Sequence, residues 1–414
     1  MTRIRKRAGV AALTTLLSLG GTAIAAPEST ATDESSNSRS GSLDDSDGTI
    51  ASAARALGLN PAADLRGGYS FTDDDFDDGT GSRTEEWLGR FRAGGSYNFS
   101  NWLIAGGRVA TACSSESCRF DFTAAESIPI GATSLPDGNV AFDELYLHSF
   151  RRESFDLAIG RLQTKFVSRA GVFAKSLDRN DSNGTSITWT DGLHGTAHLG
   201  DQGILHLILQ KNRSDGTGNV RRAPIDFGNE NSRVSYFLAW ENLRPLWNLT
   251  QRGIDVTYMP KSLLQDGTQS GRVVDYVAWV TRYAATWPRN SDGPQLTLAG
   301  ELGYAPTTPS RAAMDFPGAG DTGGLAWNVT VSGMNLKPNH SVGLNFARTD
   351  AGWLISPDFK PNTQIVELRY LWRKSHNLAL DIRFREESDL ELTAGAAGKQ
   401  KNINVFARFT RGFD

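Results

Sequence analysis

The chain has 414 residues and carries 43 basic against 46 acidic side chains, a formal net charge of −3. That balance excludes the basic footprint of nucleic-acid binding, and no nucleic-acid partner is expected. Hydrophobic residues make up only 39%, with glycine abundant at 43 and tryptophan at 10, which fits a fold needing one apolar face per strand.

Arg3, Arg5, Lys6 and Arg7 precede AGVAALTTLLSLGGTAIAA, an apolar stretch ending in small residues. This is the pattern of a secretory signal peptide over residues 1–26, cleaved after Ala25 or Ala26. The run falls short of the roughly 20 apolar residues of a spanning helix, and Thr, Ser and Gly interrupt it. Losing its four basic residues would take the net charge to about −7. Residues 27–48 are acidic and of low complexity, so they read as a disordered leader, and 49–58 could form one short helix; together 27–60 precede the folded region 61–414. Cys113 and Cys118, in CSSESC, are the only cysteines. In an exported protein they are expected to form one small disulfide.

Beyond Pro61 the apolar residues recur with period two to the C-terminus. Strands are expected near 63–72, 85–99, 101–112, 140–151, 154–166, 186–199, 203–212 and 232–243. Eight more follow near 249–259, 272–287, 294–304, 324–335, 340–348, 363–373, 377–387 and 401–411. Their lengths suit tilted strands crossing a bilayer, about 9–11 residues each. Links after even-numbered strands are short, whereas 73–84, 113–139, 167–185, 213–231, 260–271, 305–323, 349–362 and 388–400 are mostly long and polar. Short turns at one end and long loops at the other predict an all-β fold: an antiparallel transmembrane β-barrel of about 16 strands, with short periplasmic turns and extracellular loops. Tyr97, Phe99, Trp102, Trp240, Trp247, Trp287 and Trp372 lie beside short turns, as an aromatic girdle would.

In LRYLWRKSHNLALDIRFRE (368–386) apolar residues alternate with arginines. Outer residues of a barrel meet lipid and inner ones water, and an arginine on the lipid face costs roughly 2–4 kcal/mol near the midplane. That cost turns Arg369, Arg373, Arg383 and Arg385 inward. The same parity turns Arg66, Arg90, Arg92, Arg108 and Arg408 inward. Closure joins the last strand to the first, so these arginines collect on one wall and would attract anions. Glu367 and Asp381 share the inward parity and would cancel part of that field. Opposite, Glu144, Tyr146, His148, His194, His198, His206 and Glu301 read as polar lumen lining. His194 and His198 stand over 13 Å apart along one strand face (about four residues), too far to share a metal ion, although His206 could approach one of them. No metal or cofactor is expected. Nor is an enzyme: Ser149 and its neighbour His148 point to opposite faces, and no G-x-S-x-G stretch is present.

The run FDELYLHSF…FDLAIGRLQTKF resembles the paired strands before the constriction loop of Gram-negative outer-membrane porins. The closing third, WLISPDFKPNTQIVELRYLWRKSHNLALDIRFR, is similar to the ends of phosphate-selective porins. The resemblance implies a sixteen-stranded barrel, a homotrimer, and a loop after the fifth strand that folds inward. Here that loop is 167–186, with Arg169, Lys175, Asp178, Arg179 and Asp181, whose charges would face the wall arginines. Arg161 and Lys165 precede it, and a break near Gly160 is needed for them to line the pore. Two departures stand out: the chain ends RGFD, with Phe413 one place from the terminus, and 167–186 holds no dense arginine and lysine run. The expected function is passive diffusion of small hydrophilic solutes, with anions preferred, across the outer membrane of a Gram-negative bacterium. The alternative is a structural or adhesive barrel acting through its loops.

Overall fold

A computed structural model describes residues 59–413 apart from 78, 119–133, 152–153, 214–221, 269, 289–292, 376, 395 and 397. The signal peptide, the acidic leader and the short helix at 49–58 lie outside the described residues. Among those described, sixteen antiparallel strands close into one barrel. The first eight are β1 (Leu59–Phe76), β2 (Gly81–Ser100), β3 (Leu103–Ser114), β4 (Val140–Arg151), β5 (Phe155–Leu162), β6 (Thr190–His198), β7 (Ile204–Lys211) and β8 (Val234–Asn242). The rest are β9 (Leu249–Leu264), β10 (Val273–Trp287), β11 (Gln295–Tyr304), β12 (Leu325–Lys337), β13 (His340–Thr349), β14 (Thr363–Ser375), β15 (Leu378–Asp389) and β16 (Gln400–Phe413). Each strand pairs with the next, and β16 closes on β1 from Ala63 opposite Phe413 to Phe76 opposite Gln400.

The alternation in the sequence sets the two faces. On β2, Trp87 is 59% exposed on the outside while Arg90 is 1% exposed within. Outward Leu65, Phe91, Leu368, Ile382, Phe384 and Phe409 are likewise exposed, as a lipid-facing surface requires. Tyr97, Phe99, Trp102, Trp247 and Trp287 are exposed beside the short turns, where amphipathic rings favour the headgroup layer. No helix in the described residues is long and apolar enough to cross a membrane, so any crossing is made by strands.

All sixteen expected strands are present, with two kinds of boundary change. β1 and β2 run into the expected loop 73–84, leaving only 77–80 as the turn. Conversely, β5 and β6 stop four residues short, because 163–189 leaves the wall for the lumen. The barrel therefore has an interior core on its loop side. Leu177, Trp353, Leu354, Ile355 and Phe359 from two loops pack on Met259, Leu263 and Tyr276 of the wall. Each such burial stabilises by roughly 1.5–3 kcal/mol.

Candidate functional site

Just before the chain leaves the wall after Leu162, Gly160 of β5 has a φ of +131°, and an added Cβ there would lie 2.2 Å from the Leu145 carbonyl oxygen. Only glycine fits there. Beyond it, Asp181 accepts from the Thr164 backbone N–H (2.8 Å) and hydroxyl (2.9 Å), closing the base of the loop. Phe166 packs on Ile208, Phe237 and Ala239 of β7 and β8. Gln251 on β9 accepts from the Arg169 N–H at 2.6 Å and donates to the Val167 carbonyl at 3.1 Å. Ser332 on β12 donates to the Ala170 carbonyl at 2.6 Å. The loop then turns back along Lys175, whose ammonium pairs with Glu367 on β14, and Asp178, which meets Arg282 on β10 at 3.3 Å. Its tip reaches β1 and β2. There Arg66 donates to the Gly184 carbonyl at 3.0 Å, and Arg90 to the Ser182 carbonyl at 3.1 Å.

A second loop, 350–362, folds inward over the first. Trp353 donates its indole N–H to the Leu177 carbonyl at 2.9 Å, and Ser356 donates to the Ser176 carbonyl at 2.7 Å. Buried Asp358 accepts from the Ser176 N–H (2.8 Å) and the side-chain amides of Asn180 (2.9 Å) and Asn183. With two loops seated, an opening of about 200 Å³ is lined by Asn183–Ser186 on one side and Ser70, Leu88, Arg369, Asp381, Arg383, Phe406 and Arg408 on the other.

The wall arginines divide into two sets. Arg90 meets Asp64 at 2.9 Å, Arg92 meets Asp143 at 2.8 Å, and Arg108 meets Asp143 and Glu144 at 2.9 Å each. These three are almost wholly buried, so their charge is consumed in anchoring. Arg369, Arg383 and Arg408 line the opening against one carboxylate, Asp381, which Arg408 meets at 2.8 Å. Arg383 has no carboxylate within salt-bridge distance among the described residues; it donates to Asn404 at 2.5 Å and stacks 4.9 Å over Phe406.

Neither a family model nor a curated protein sequence matches this chain. Solved structures do. Pseudomonas putida OprB superposes with a TM-score of 0.59 at 9% identity, covering 88% of this chain and 97% of that one. The fold is that of a Gram-negative outer-membrane porin. Pseudomonas aeruginosa OpdL (13% identity, 86% and 99% covered, TM-score 0.49) and Salmonella typhi OmpF (10%, 85% and 97%, 0.48) are also similar.

Within the porin fold, the inward-folding loop is present and is longer than expected, 163–189. Its charges are not where the sequence placed them. Lys175, Asp178, Arg179 and Asp181 are all under 4% exposed and are held between loop and wall, because each finds a partner there. Burial pulls the Lys175 ammonium down to about 7 against the attraction of Glu367. Burial also raises the Asp181 and Asp358 carboxyls and lowers the Arg179 guanidinium. Arg169 is half-buried at Gln251. None of the five lines the opening.

Several wall positions shift too. Glu367 is fully buried beneath Lys175 and Arg369 rather than lining the pore. Arg373 is exposed near the short turn after β14, and Arg385 pairs with Glu387 at 2.6 Å. The expected break near Gly160 is not present, since both neighbouring strands pair through it without a register shift; Arg161 meets Asp191 at 2.8 Å and lies over Trp189, while Lys165 is exposed. His206 comes within 3.2 Å of His194, and His198 meets Asp156 at 2.7 Å. Cys113 and Cys118 are free thiols, where a disulfide was expected. The turn between them is already closed by backbone bonds from Ser114 to Ser117 (3.2 Å) and back (3.3 Å).

Asp64, Asp143 and Arg282 were missed. Asp64 and Arg282 share the inward parity of their strands and were legible on that ground. Asp143 was not, since a bulge at Arg108/Val109 turns both it and Glu144 inward. The backbone conformation of Gly160 gives a direct test. Gly160→Ala is expected to destabilise the folded barrel by about 1–3 kcal/mol or more, as strained backbone does. The midpoint of the heat-induced mobility shift on cold SDS gels reads it.

Proposed function

We propose that this chain, exported by its N-terminal signal, is an outer-membrane channel through which small hydrophilic solutes diffuse passively, with anions preferred. The porin fold supports the channel. The preference rests on one observation: three guanidiniums and one carboxylate line the opening beside the loop. Arg408 pairs with Asp381 and Arg369 with Glu367, which leaves Arg383 as the excess positive charge of the wall, and in a narrow passage such an excess raises local anion concentration. Phosphate is proposed as one permeant anion and not as a selected one, because no lysine or arginine of the loop reaches the opening. We also propose the homotrimer, which cross-linking of detergent-purified protein would resolve.

The test is single-channel recording in a planar bilayer with the reversal potential taken across a dilute KCl gradient, where screening is weak. Wild type should reverse on the chloride side. Arg383→Ala should lower the chloride-to-potassium permeability ratio roughly tenfold, because one charge about 6 Å from the path in water shifts chloride and potassium about threefold each in opposite directions. A cation-preferring wild type would overturn the anion reading. Absence of conductance would turn the assignment to a structural or adhesive barrel.

A further inference from the structure

Four of the six histidines, His148, His194, His198 and His206, gather on β4, β6 and β7. β7 lies eight strands from β15 in the closed ring of sixteen, so this wall faces the one that carries Arg383. His194 and His198 stand too far apart along β6 to share an ion. The pairing of β6 with β7 makes a closer couple. Thr196 sits opposite His206 and His194 opposite Ile208, which sets His206 diagonally beside His194 on the inner face. His206 is buried between outward Leu205 and Leu207, and His194 is half-buried. Phe166, at the base of the in-folded loop, lies edge-on to both rings, 5.1 Å from His206 and 6.3 Å from His194 between centroids, and holds them in place.

The two rings meet through one nitrogen each. His194 Nε2 stands 3.2 Å from His206 Nδ1, with the Thr196 hydroxyl oxygen 3.5 Å from the same Nε2. Two imidazole nitrogens bound about 2.1 Å from one ion stand about 3.0 Å apart at a right angle and about 3.4 Å apart at the tetrahedral angle. The observed spacing falls between these values. The far nitrogen of His206, Nε2, comes within 3.4 Å of Glu241 Oε1 on β8. A carboxylate there keeps the proton on Nε2 and leaves the Nδ1 lone pair turned to His194, as carboxylates do behind metal-binding histidines. In the metal-free chain His194 fills the gap by donating its Nε2–H. With that proton on Nδ1 instead, both facing nitrogens offer lone pairs.

We infer that His194 and His206 form a lumenal site for a divalent transition-metal ion of the Zn²⁺ or Cu²⁺ class, oriented by Glu241. Imidazole donors favour these ions over Mg²⁺ and Ca²⁺, which take oxygen ligands. Among the described residues no group of three or more His, Cys, Asp or Glu converges on one ion. Two histidines therefore bind and water completes the shell, which makes the ion exchangeable rather than structural. His148 and His198 instead face Asp156, at 3.9 and 2.7 Å. The site does not depend on the ion preference of the passage.

The test is equilibrium dialysis of untagged, detergent-purified protein against Zn²⁺. A Cys113→Ser/Cys118→Ser background keeps the two thiols from taking metal. This background should bind about one Zn²⁺ per chain more than its His194→Ala/His206→Ala derivative. Glu241→Gln should weaken that binding about tenfold or more, the usual effect of losing a carboxylate behind a ligating histidine. His198→Ala should bind like the background. Every variant is checked for the folded form by heat-dependent gel mobility. If the alanine variants fail to fold, His194→Gln and His206→Gln keep the size and polarity of the rings and make the same comparison. Equal Zn²⁺ uptake by the background and the folded double variant would overturn the inference. So would a loss in His198→Ala as large as in the double variant, which would place the ion elsewhere.

Discussion

Replacing Arg282 with methionine is expected to unseat the in-folded loop. Arg282 sits on β10, 2% exposed, and its guanidinium meets three carboxylates. Glu301 on β11 lies at 2.5 Å, Asp255 on β9 at 3.0 Å and Asp178 of the loop at 3.3 Å. Methionine keeps much of the volume and removes the one cation that, among the described residues, meets all three. Removing one partner of a buried ion pair costs about 3–5 kcal/mol, because the remaining charge is stranded. The wall acids cannot leave. Glu301 still accepts from the Leu177 N–H at 3.0 Å and from Asn328 at 2.7 Å. Asp178 can leave, by lifting its segment of loop. The expected readouts are a lower midpoint for the heat-induced mobility shift and a larger, noisier single-channel current. An unchanged current and midpoint would show that the loop is held without this cluster.

Arg383→Glu should have the largest effect on selection. It changes the lining of the opening by two charge units without breaking an ion pair, since Arg383 has no carboxylate within salt-bridge distance among the described residues. Two units at about 6 Å in water shift chloride and potassium roughly tenfold each in opposite directions, on the order of a hundredfold in their permeability ratio, enough to bring a modest anion preference to a cation preference. The same reversal at Arg108 would strand Asp143 and Glu144 and would register as instability instead. That contrast separates the arginines that select from those that anchor, and a reversal potential unmoved by Arg383→Glu would place the ion path elsewhere.

The strand plan was legible because alternation is dictated by a large, local cost: an arginine in hydrocarbon. Every strand carries that signal in its own residues, so parity found Arg66, Arg90, Arg369, Arg383 and Arg408 on the inside with no knowledge of the fold. The inward loop was legible only through resemblance, and its charge pattern misled. A loop acid's direction depends on which wall residue it meets, and Arg282 stands 104 residues from Asp178 in sequence. The second loop was read as an external link, although its Trp353, Leu354, Ile355 and Phe359 are an unusual load of apolar side chains for a solvated segment. That load was the available sign of burial. Asp143 lay beyond parity altogether, since one extra residue in β4 reverses the count.

The bonds of the in-folded loop reach nearly all round the barrel: Arg90 on β2, Gln251 on β9, Arg282 on β10, Glu301 on β11, Ser332 on β12 and Glu367 on β14. A hollow tube of this size can flatten under lateral stress from the bilayer, and its bore then changes with the membrane. Here the loop acts as a set of spokes. It ties opposite sides of the cylinder to a common hub, so the cross-section is held in shape where the loop crosses it.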